Sequence, residues 1–208
     1  MDIPRLAAAL ILALASSSCA SNEVHPEGGS YLPPAGNFRL ELPTSIFEET
    51  RVFESYEPDE GYGWVTAHPD LGGWEKISYD LQEEELVSRV LSLDGTEAFH
   101  RFFSAYFEGD FVPRNYPTGE VVLLADPTFH PTPDGELLFA AFSIPEGSPV
   151  YNVGSGENLD LPVGVLIFIR GRHSYELHKA ARFLADGYSL EELLEITLEL
   201  YERIEFRD

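Results

Sequence analysis

Val163-Gly-Val-Leu-Ile-Phe-Ile-Arg170 is the most strongly apolar stretch of the chain beyond its first twenty residues. A run of that length, rich in β-branched residues and closed by Gly171, reads as the central strand of a sheet. Gly171 turns the chain back into His173–Lys179, where Tyr175 and Leu177 alternate with polar neighbours as on a strand. Leu177, Ala181 and Leu184 fit a helical stripe equally well, so both readings stand for that segment. As a strand it sends His173 and His178, five residues apart, to opposite faces.

Upstream of this hairpin, Val121–Ala125 and Leu137–Ile144 are short apolar runs of strand length. Three prolines between them make Asp126–Gly135 read as a loop. Val150–Val153 reads as a short strand before the Gly154-Ser155-Gly156 turn. Further back, Phe38, Leu40 and Leu42 alternate with Arg39 and Glu41 until Pro43. Arg51–Tyr56, Gly63–His68 and Trp74–Leu81 follow between Gly and Pro clusters, as in an antiparallel meander.

Two helices are expected between the strand groups. Asp80 with Glu83 resembles a capping box ahead of Leu86, Val87, Val90 and Leu91. Asp94 with Glu97 repeats the signal before Phe99, Phe102, Phe103, Tyr106 and Phe107, which share one helical face, and Gly109 is the expected stop. Five aromatics at that spacing mark a helix docked on a sheet rather than a ligand box. The closing helix is the clearest element. Ser189 and Glu192 form a capping box, and Tyr188 with Leu193 a hydrophobic staple. Leu190, Leu194, Thr197, Tyr201 and Ile204 make one face and Glu191, Glu195, Glu199 and Glu202 the other, with Arg203 placed to pair with Glu199. Strands, two helices, more strands and a last helix give an α+β class, helices packed on a mainly antiparallel sheet.

The N-terminus carries a different message. Met1–Arg5 is basic, Leu6–Ala15 is ten apolar residues, too few to span a bilayer, and Ser16-Ser17-Ser18-Cys19 follows. This order of charged, apolar and small residues predicts an export signal over 1–18. Cys19 is the only cysteine, so no disulfide braces the chain. Its setting resembles the lipobox of bacterial lipoproteins, which usually has Leu where Ser16 stands. The resemblance implies lipidation of Cys19 and a membrane anchor. With Ala20 rather than Asp next, it implies the outer membrane, facing the periplasm. The competing reading is ordinary cleavage after Ala15 or Ala20 and release. Residues 19–36, rich in Pro and Gly, read as a flexible tether whose Ser21–Gly36 part would reach roughly 50 Å when extended. Residues 37–208 then form a single globular domain.

An exported domain opening Gly36-Asn-Phe-Arg-Leu-Glu-Leu-Pro43 and closing Leu200-Tyr-Glu-Arg-Ile-Glu-Phe206 resembles the Mog1/PsbP-like α/β/α sandwich of many bacterial lipoproteins. The likeness is a rhythm across residues 36–206, from which the helix pair at 83–107 departs. It implies a non-enzymatic binding or assembly factor with an envelope protein as partner.

Composition narrows function further. Thirteen basic against 36 acidic residues give a net charge of −23, unchanged by loss of Asp2 and Arg5 with the leader. Such a field repels nucleic acid and leaves cations or basic proteins as the partners it would steer. The chemistry-bearing motifs are few. Gly154-Ser155-Gly156 lacks the outer spacing of a nucleophile elbow. No phosphate-cradling loop occurs, only Lys76 and Lys179 supply lysine, and no cofactor is expected. His68-Pro69-Asp70 and Asp126-Pro127-Thr128-Phe129-His130 place imidazole and carboxylate on turns. His68, Asp70, Asp126 and His130 are therefore the candidate ligands of the alternative reading, a metal-assisted hydrolase. Tyr62-Gly63-Trp64 with Trp74 would make a sugar- or peptide-stacking edge, or else a pair of core tryptophans.

Overall fold

A computed structural model of the chain describes residues 22–26, 29–42, 50–68, 73–93, 96–115, 122–133, 135–144, 161–180 and 189–207. The apolar run around Val163 forms β10 (Leu161–Arg170), flanked by β9 (Gly135–Ile144) and β11 (His173–Ala180), both antiparallel to it. The segment after Gly171 is therefore strand. Gly171 has φ +56°, the left-handed backbone that a two-residue hairpin turn requires. Outward from β11 come β6 (Trp74–Leu81), β5 (Tyr62–His68), β4 (Arg51–Glu57) and β1 (Asn22–Val24). Strands β4, β5 and β6 make the expected meander.

On the other side, β9 carries both β7 (Val122–Leu123) and β8 (Thr128–Thr132) along one edge. The expected loop at Asp126–Gly135 is thus corrected: only the bend around Asp126 interrupts the edge. Its prolines are tolerated because an edge strand leaves alternate N–H groups unpaired, and Pro131 opposes Glu136 at such a position. A second sheet, β12-β3-β2, joins Ile204–Phe206, Phe38–Glu41 and Ser30–Tyr31. Every described pairing is antiparallel, so the class is α+β with a mainly antiparallel sheet, as expected. Segments 22–24 and 30–31, expected within the tether, are strands instead. Tyr31 explains the difference: the ring is 5% exposed and joins the core beside Phe38.

Helices cover the large sheet on one face: α1 (Glu84–Leu91) and α2 (Thr96–Tyr106), which runs through a π turn at Phe107–Phe111 into α3 (Val112–Asn115). Asp80 lies in β6 and not at a helix cap, and Glu83 precedes α1 without a side-chain cap bond. Asp94 lies outside the described residues. Gly109 does not end the helix; it sits inside the π turn, whose looser geometry absorbs a poor helix former. The aromatic stripe is core as expected, with Phe102, Phe103, Tyr106 and Phe107 buried over Leu138, Phe142, Val163 and Val165.

The opposite face is covered by α4 (Leu190–Glu202) and the small sheet. The Ser189–Glu192 capping box is present, Ser189 Oγ accepting from the Glu192 amide at 3.1 Å. Tyr188 lies outside the described residues. The buried seam of α4 is Leu193, Thr197 and Leu200, rotated from the expected one, and Leu190 is exposed. Gly164 sets this rotation: a Cβ there would stand 2.1 Å from Thr197 Oγ1, so helix and strand touch through a missing side chain.

One carboxylate ties the layers together. Glu75 on β6 is 1% exposed and accepts from Lys179 Nζ directly across on β11. It also accepts from Arg203 Nη2 at the end of α4. Arg203 further donates to the Glu41 carbonyl of β3 at 2.9 Å, in place of the expected pairing with Glu199. Burial alone would raise the pKa of Glu75, but the Lys179 and Arg203 charges outweigh it and hold the carboxyl below its ordinary value.

Two stability measurements follow. Gly164→Ala should lower unfolding free energy by about 2 kcal/mol through overpacking against Thr197, seen as a reduced urea midpoint at unchanged slope. Glu75→Gln should cost about 2–3 kcal/mol at neutral pH, less than a fully enclosed pair, because Lys179 and Arg203 keep partial access to water. A depressed folded-state value makes this stabilisation complete above the unfolded value and lost as pH falls through the folded one. The Gln variant should therefore converge on the parent in acid, and an undiminished gap there would refute the charge assignment.

Candidate functional site

Strand order decides the fate of the predicted metal set. His68 ends β5 and His130 lies in β8, with β6, β11, β10 and β9 between. Five inter-strand spacings of about 4.8 Å separate them by roughly 24 Å, whereas two ligands of one ion must each come within about 2 Å of it. The set of His68, Asp70, Asp126 and His130 is thus corrected: no single ion can join its two histidines. Asp70 and Cys19 lie outside the described residues, and Asp126 occupies the bend between β7 and β8. Among the described residues no group of three or more His, Cys, Asp or Glu gathers.

Each histidine has local company instead. His68 meets Phe53 edge-on at 5.6 Å, and burial, then the Arg51 charge, lowers its basicity below the ordinary imidazole value. His130 Nε2 is 2.9 Å from Thr128 Oγ1, a hydroxyl–imidazole contact of the kind that activates nucleophiles. The imidazole, however, meets the edge of Phe139 at 5.9 Å rather than an orienting carboxylate.

The two tryptophans part company. Trp74 is buried in the helix-side core against His178. Trp64 is only half-buried, on the same face of the sheet but one strand nearer the β1 edge. The helix-side core takes residues from β6, β11, β10 and β9 and none from β4 or β5. The aromatic layer therefore stops near β6, and the sheet beyond it changes character.

Alternation along each strand shows what that half presents. The helix-side positions are Phe53 and Ser55 on β4, Tyr62, Trp64, Thr66 and His68 on β5, then Lys76, Ser78 and Asp80 on β6. Register aligns them in rows across the strands. One row runs Ser55, Trp64, Ser78, Glu176, and the next runs Phe53, Thr66, Lys76, His178. The first row ends under the helix layer, where Tyr106 Oη donates to Glu176 Oε1 at 2.6 Å. His178 Nε2 lies 3.8 Å from Glu176 Oε2, and its ring packs between Trp74 and Phe111. At one end of the face, Gln82 Nε2 donates to Asp80 Oδ2 at 2.7 Å and Ser174 Oγ at 2.9 Å.

Ser78 is the informative member. It is 5% exposed, and its Oγ has no hydrogen-bond partner among the described residues. A buried hydroxyl without a partner costs about 1–3 kcal/mol, so Ser78, beside the half-buried Trp64, is an unsatisfied polar position of this row among the described residues. An indole face, a hydroxyl, a buried carboxylate and an amine in two adjacent rows suit a hydroxyl-bearing or peptide ligand. Sequence reasoning found Trp64 through its aromatic turn but missed Ser78, Glu176 and Lys76. Their only signal was polar residues at alternate positions of strands otherwise apolar.

Elsewhere a small cleft of about 230 Å³ opens at the β9–β10 end of the sheet, between Leu91, Phe99, Leu137, Arg170 and Tyr201. Beside it His100 stacks on Phe129 at 3.6 Å and meets Glu136 at 3.3 Å. These contacts seal the α2–β8 seam.

No protein-family model and no curated protein matches the chain. Among solved structures it is similar to a protein of Bacteroides thetaiotaomicron, at 14% identity and a TM-score of 0.41, covering 88% of this chain. The chain spans about half the length of that protein, 50%. It is also similar to the cyanobacterial PsbP of Synechocystis, at 7% identity and a TM-score of 0.43, covering 93% of this chain and 96% of that one. At such scores neither likeness bears on what the chain does.

Acrylamide quenching tests the contrast between the tryptophans. Replacing Trp64 by Phe should remove most of the accessible emission, while Trp74→Phe should leave it. Equal quenching of the two variants would mean that the face around Trp64 is closed.

Proposed function

We propose that the chain is an exported, lipid-anchored binding factor of the bacterial envelope that works without catalysis, through the half of the large sheet that lies beyond the helix-side aromatic core of the described residues. The observation that carries the reading is the row Ser55–Trp64–Ser78–Glu176, in which a half-exposed indole lies beside a buried, unpartnered hydroxyl and a carboxylate. Export rests on the leader through Ser18, and anchorage on Cys19 in its lipobox-like setting. Ala20 favours the outer membrane, with the domain facing the periplasm.

A binding role also suits the chemistry of the face. Its carboxylate already takes the Tyr106 hydroxyl, and the indole and hydroxyls offer stacking and hydrogen bonds without an activated nucleophile. Recognition by shape and short-range bonds is what a chain of net charge −23 needs, since long-range attraction serves it only towards cations.

The test has two readouts. Mass analysis of the mature N-terminus should find acylated Cys19; unmodified Ser16 or Ser21 there would end the anchor. A photo-crosslinking residue at Thr66 should give one discrete adduct in intact cells, and the same probe at Glu199 on α4 should not. Unadducted chain from both positions would refute this face as the binding surface.

A further inference from the structure

We propose that the β1 edge of the domain docks on the membrane, taking the phosphate of an anionic phospholipid headgroup into a cavity lined by Arg39 and Arg207. This rests on the lipid-anchor reading above and adds where the domain sits. The cavity has a volume of about 530 Å³ and lies between Val24–Pro26, Tyr31–Leu32, Arg39 and Arg207.

Chain length supplies the first argument. Were residues 19–36 a free tether, the domain could stand tens of ångströms from the bilayer. Asn22, however, already pairs with Glu54 in the register Asn22↔Glu54, Glu23↔Phe53, Val24↔Val52. Cys19 precedes Asn22 by three residues, which span at most about 10 Å. An acylated Cys19 therefore holds the β1 edge, and the cavity behind it, at headgroup level.

Charge supplies the second. The molecule as a whole repels an anionic surface, so it can approach one only where cationic side chains are presented. Arg39, Arg207 and His25 line this cavity; among the described residues Glu54 is its one acidic lining group, and Glu205 stands opposite Arg39 on β12. The Glu54 carboxylate is engaged by the Tyr31 hydroxyl, which donates to it. Arg39 is held by its Nε bond to Ser30 Oγ at 3.1 Å, and Arg207 lies a loose 3.8 Å from Glu205. Two guanidinium forks at a cavity suit the several oxygens of one phosphate better than a point charge does.

The third argument is apolar. Leu32, 53% exposed, stands at the same cavity, next to the turn closed by the Gly36 amide on the Pro33 carbonyl. One apolar tip between cationic side chains is the pattern of a surface that settles into the headgroup–acyl boundary.

The experiment uses the full lipidated chain, its acylation verified by mass, reconstituted in vesicles of phosphatidylcholine alone or mixed with phosphatidylglycerol. A Leu32→Trp variant reports docking through quenching by brominated lipid, with the unsubstituted chain giving the Trp64 and Trp74 background. Quenching is expected in the phosphatidylglycerol vesicles and not in phosphatidylcholine. Adding Arg39→Ala and Arg207→Ala should shift the docked-to-undocked ratio about 30-fold towards undocked, roughly five-fold per arginine. Arg101→Ala, on the exposed face of α2, should change nothing. Equal quenching in both vesicle types, or none in a chain shown to be acylated, overturns the docking proposal while leaving the anchor intact. Loss of quenching on adding inorganic phosphate to the anionic vesicles, at constant ionic strength, would assign the cavity to the free ion and equally overturn it. An unacylated N-terminus would instead remove the anchor reading itself.

Discussion

A strand apolar on both faces must be covered twice, and the architecture follows from meeting that demand for Leu161–Arg170. Val163, Val165 and Ile167 point to one side, Leu166 and Phe168 to the other, and each is buried. One side is met by the aromatic stripe of α2 and its π turn, the other by the Leu193–Thr197–Leu200 seam of α4. A fully buried side chain of this size is worth about 1.5–3 kcal/mol, so uncovering either face would forfeit a large part of the stability of an ordinary domain. The cover is limited in extent, however. Among the described residues the helix-side aromatic core reaches from β9 to β6, and the sheet continues beyond it. Polar positions begin where that core ends.

That boundary runs along the β6–β11 pair and is marked by buried charge on both faces. On the α4 side, Glu75 sits between Lys179 and Arg203, fastening strand, helix end and small sheet at once. On the other, Glu176 accepts from Tyr106 beside His178. Replacing such groups with apolar ones of equal volume often leaves stability unharmed, so stability alone does not account for them. On the Glu75 side the geometry gives a reason: three layers converge on one carboxylate, which fixes the angle at which α4 leaves the sheet. On the Glu176 side the carboxylate continues a row that passes through Ser78 to Trp64, which is in partial contact with solvent, and ends at Ser55. One buried acid serves the fold, and the other borders the candidate site.

How far the sequence revealed this depends on whether each signal was local. The central strand, the Ser189–Glu192 cap and the aromatic helix are encoded within a few consecutive residues, and all three stand in the structure. Readings failed where a distant partner overrode a local rule. Prolines suggested a loop at 126–135, yet β9 offers an edge on which Pro131 loses no bond that mattered. Gly and Pro suggested a free tether, yet Tyr31 finds Phe38 and Glu54. Arg203 stood four residues after Glu199, yet a buried carboxylate is a stronger attractor than an exposed one. The metal set failed for the same reason: its two histidines lie on β5 and β8, five strands apart in an order that local residues do not specify. The row through Ser78 was illegible because register, not spacing, assembles it.

The corrected N-terminus changes how the β4–β5 half of the sheet would work in a cell. β1 pairs with β4, and β4 and β5 are the strands outside the helix-side core. Were the β1 edge at the headgroups, the β4–β5 half would be the part of the large sheet nearest the membrane. A ligand or partner would then meet Trp64 and Lys76 at the bilayer surface and not in the open compartment. Confinement there raises the effective concentration of anything else held in the same membrane, so modest contacts suffice for occupancy. This suits a face built from hydroxyls, one half-exposed indole and few charges, which by its composition favours selectivity over tight binding. Under that anchor the net charge would keep the acidic remainder of the surface off an anionic bilayer, and the pairing of Asn22–Val24 with β4 would set which edge faces it.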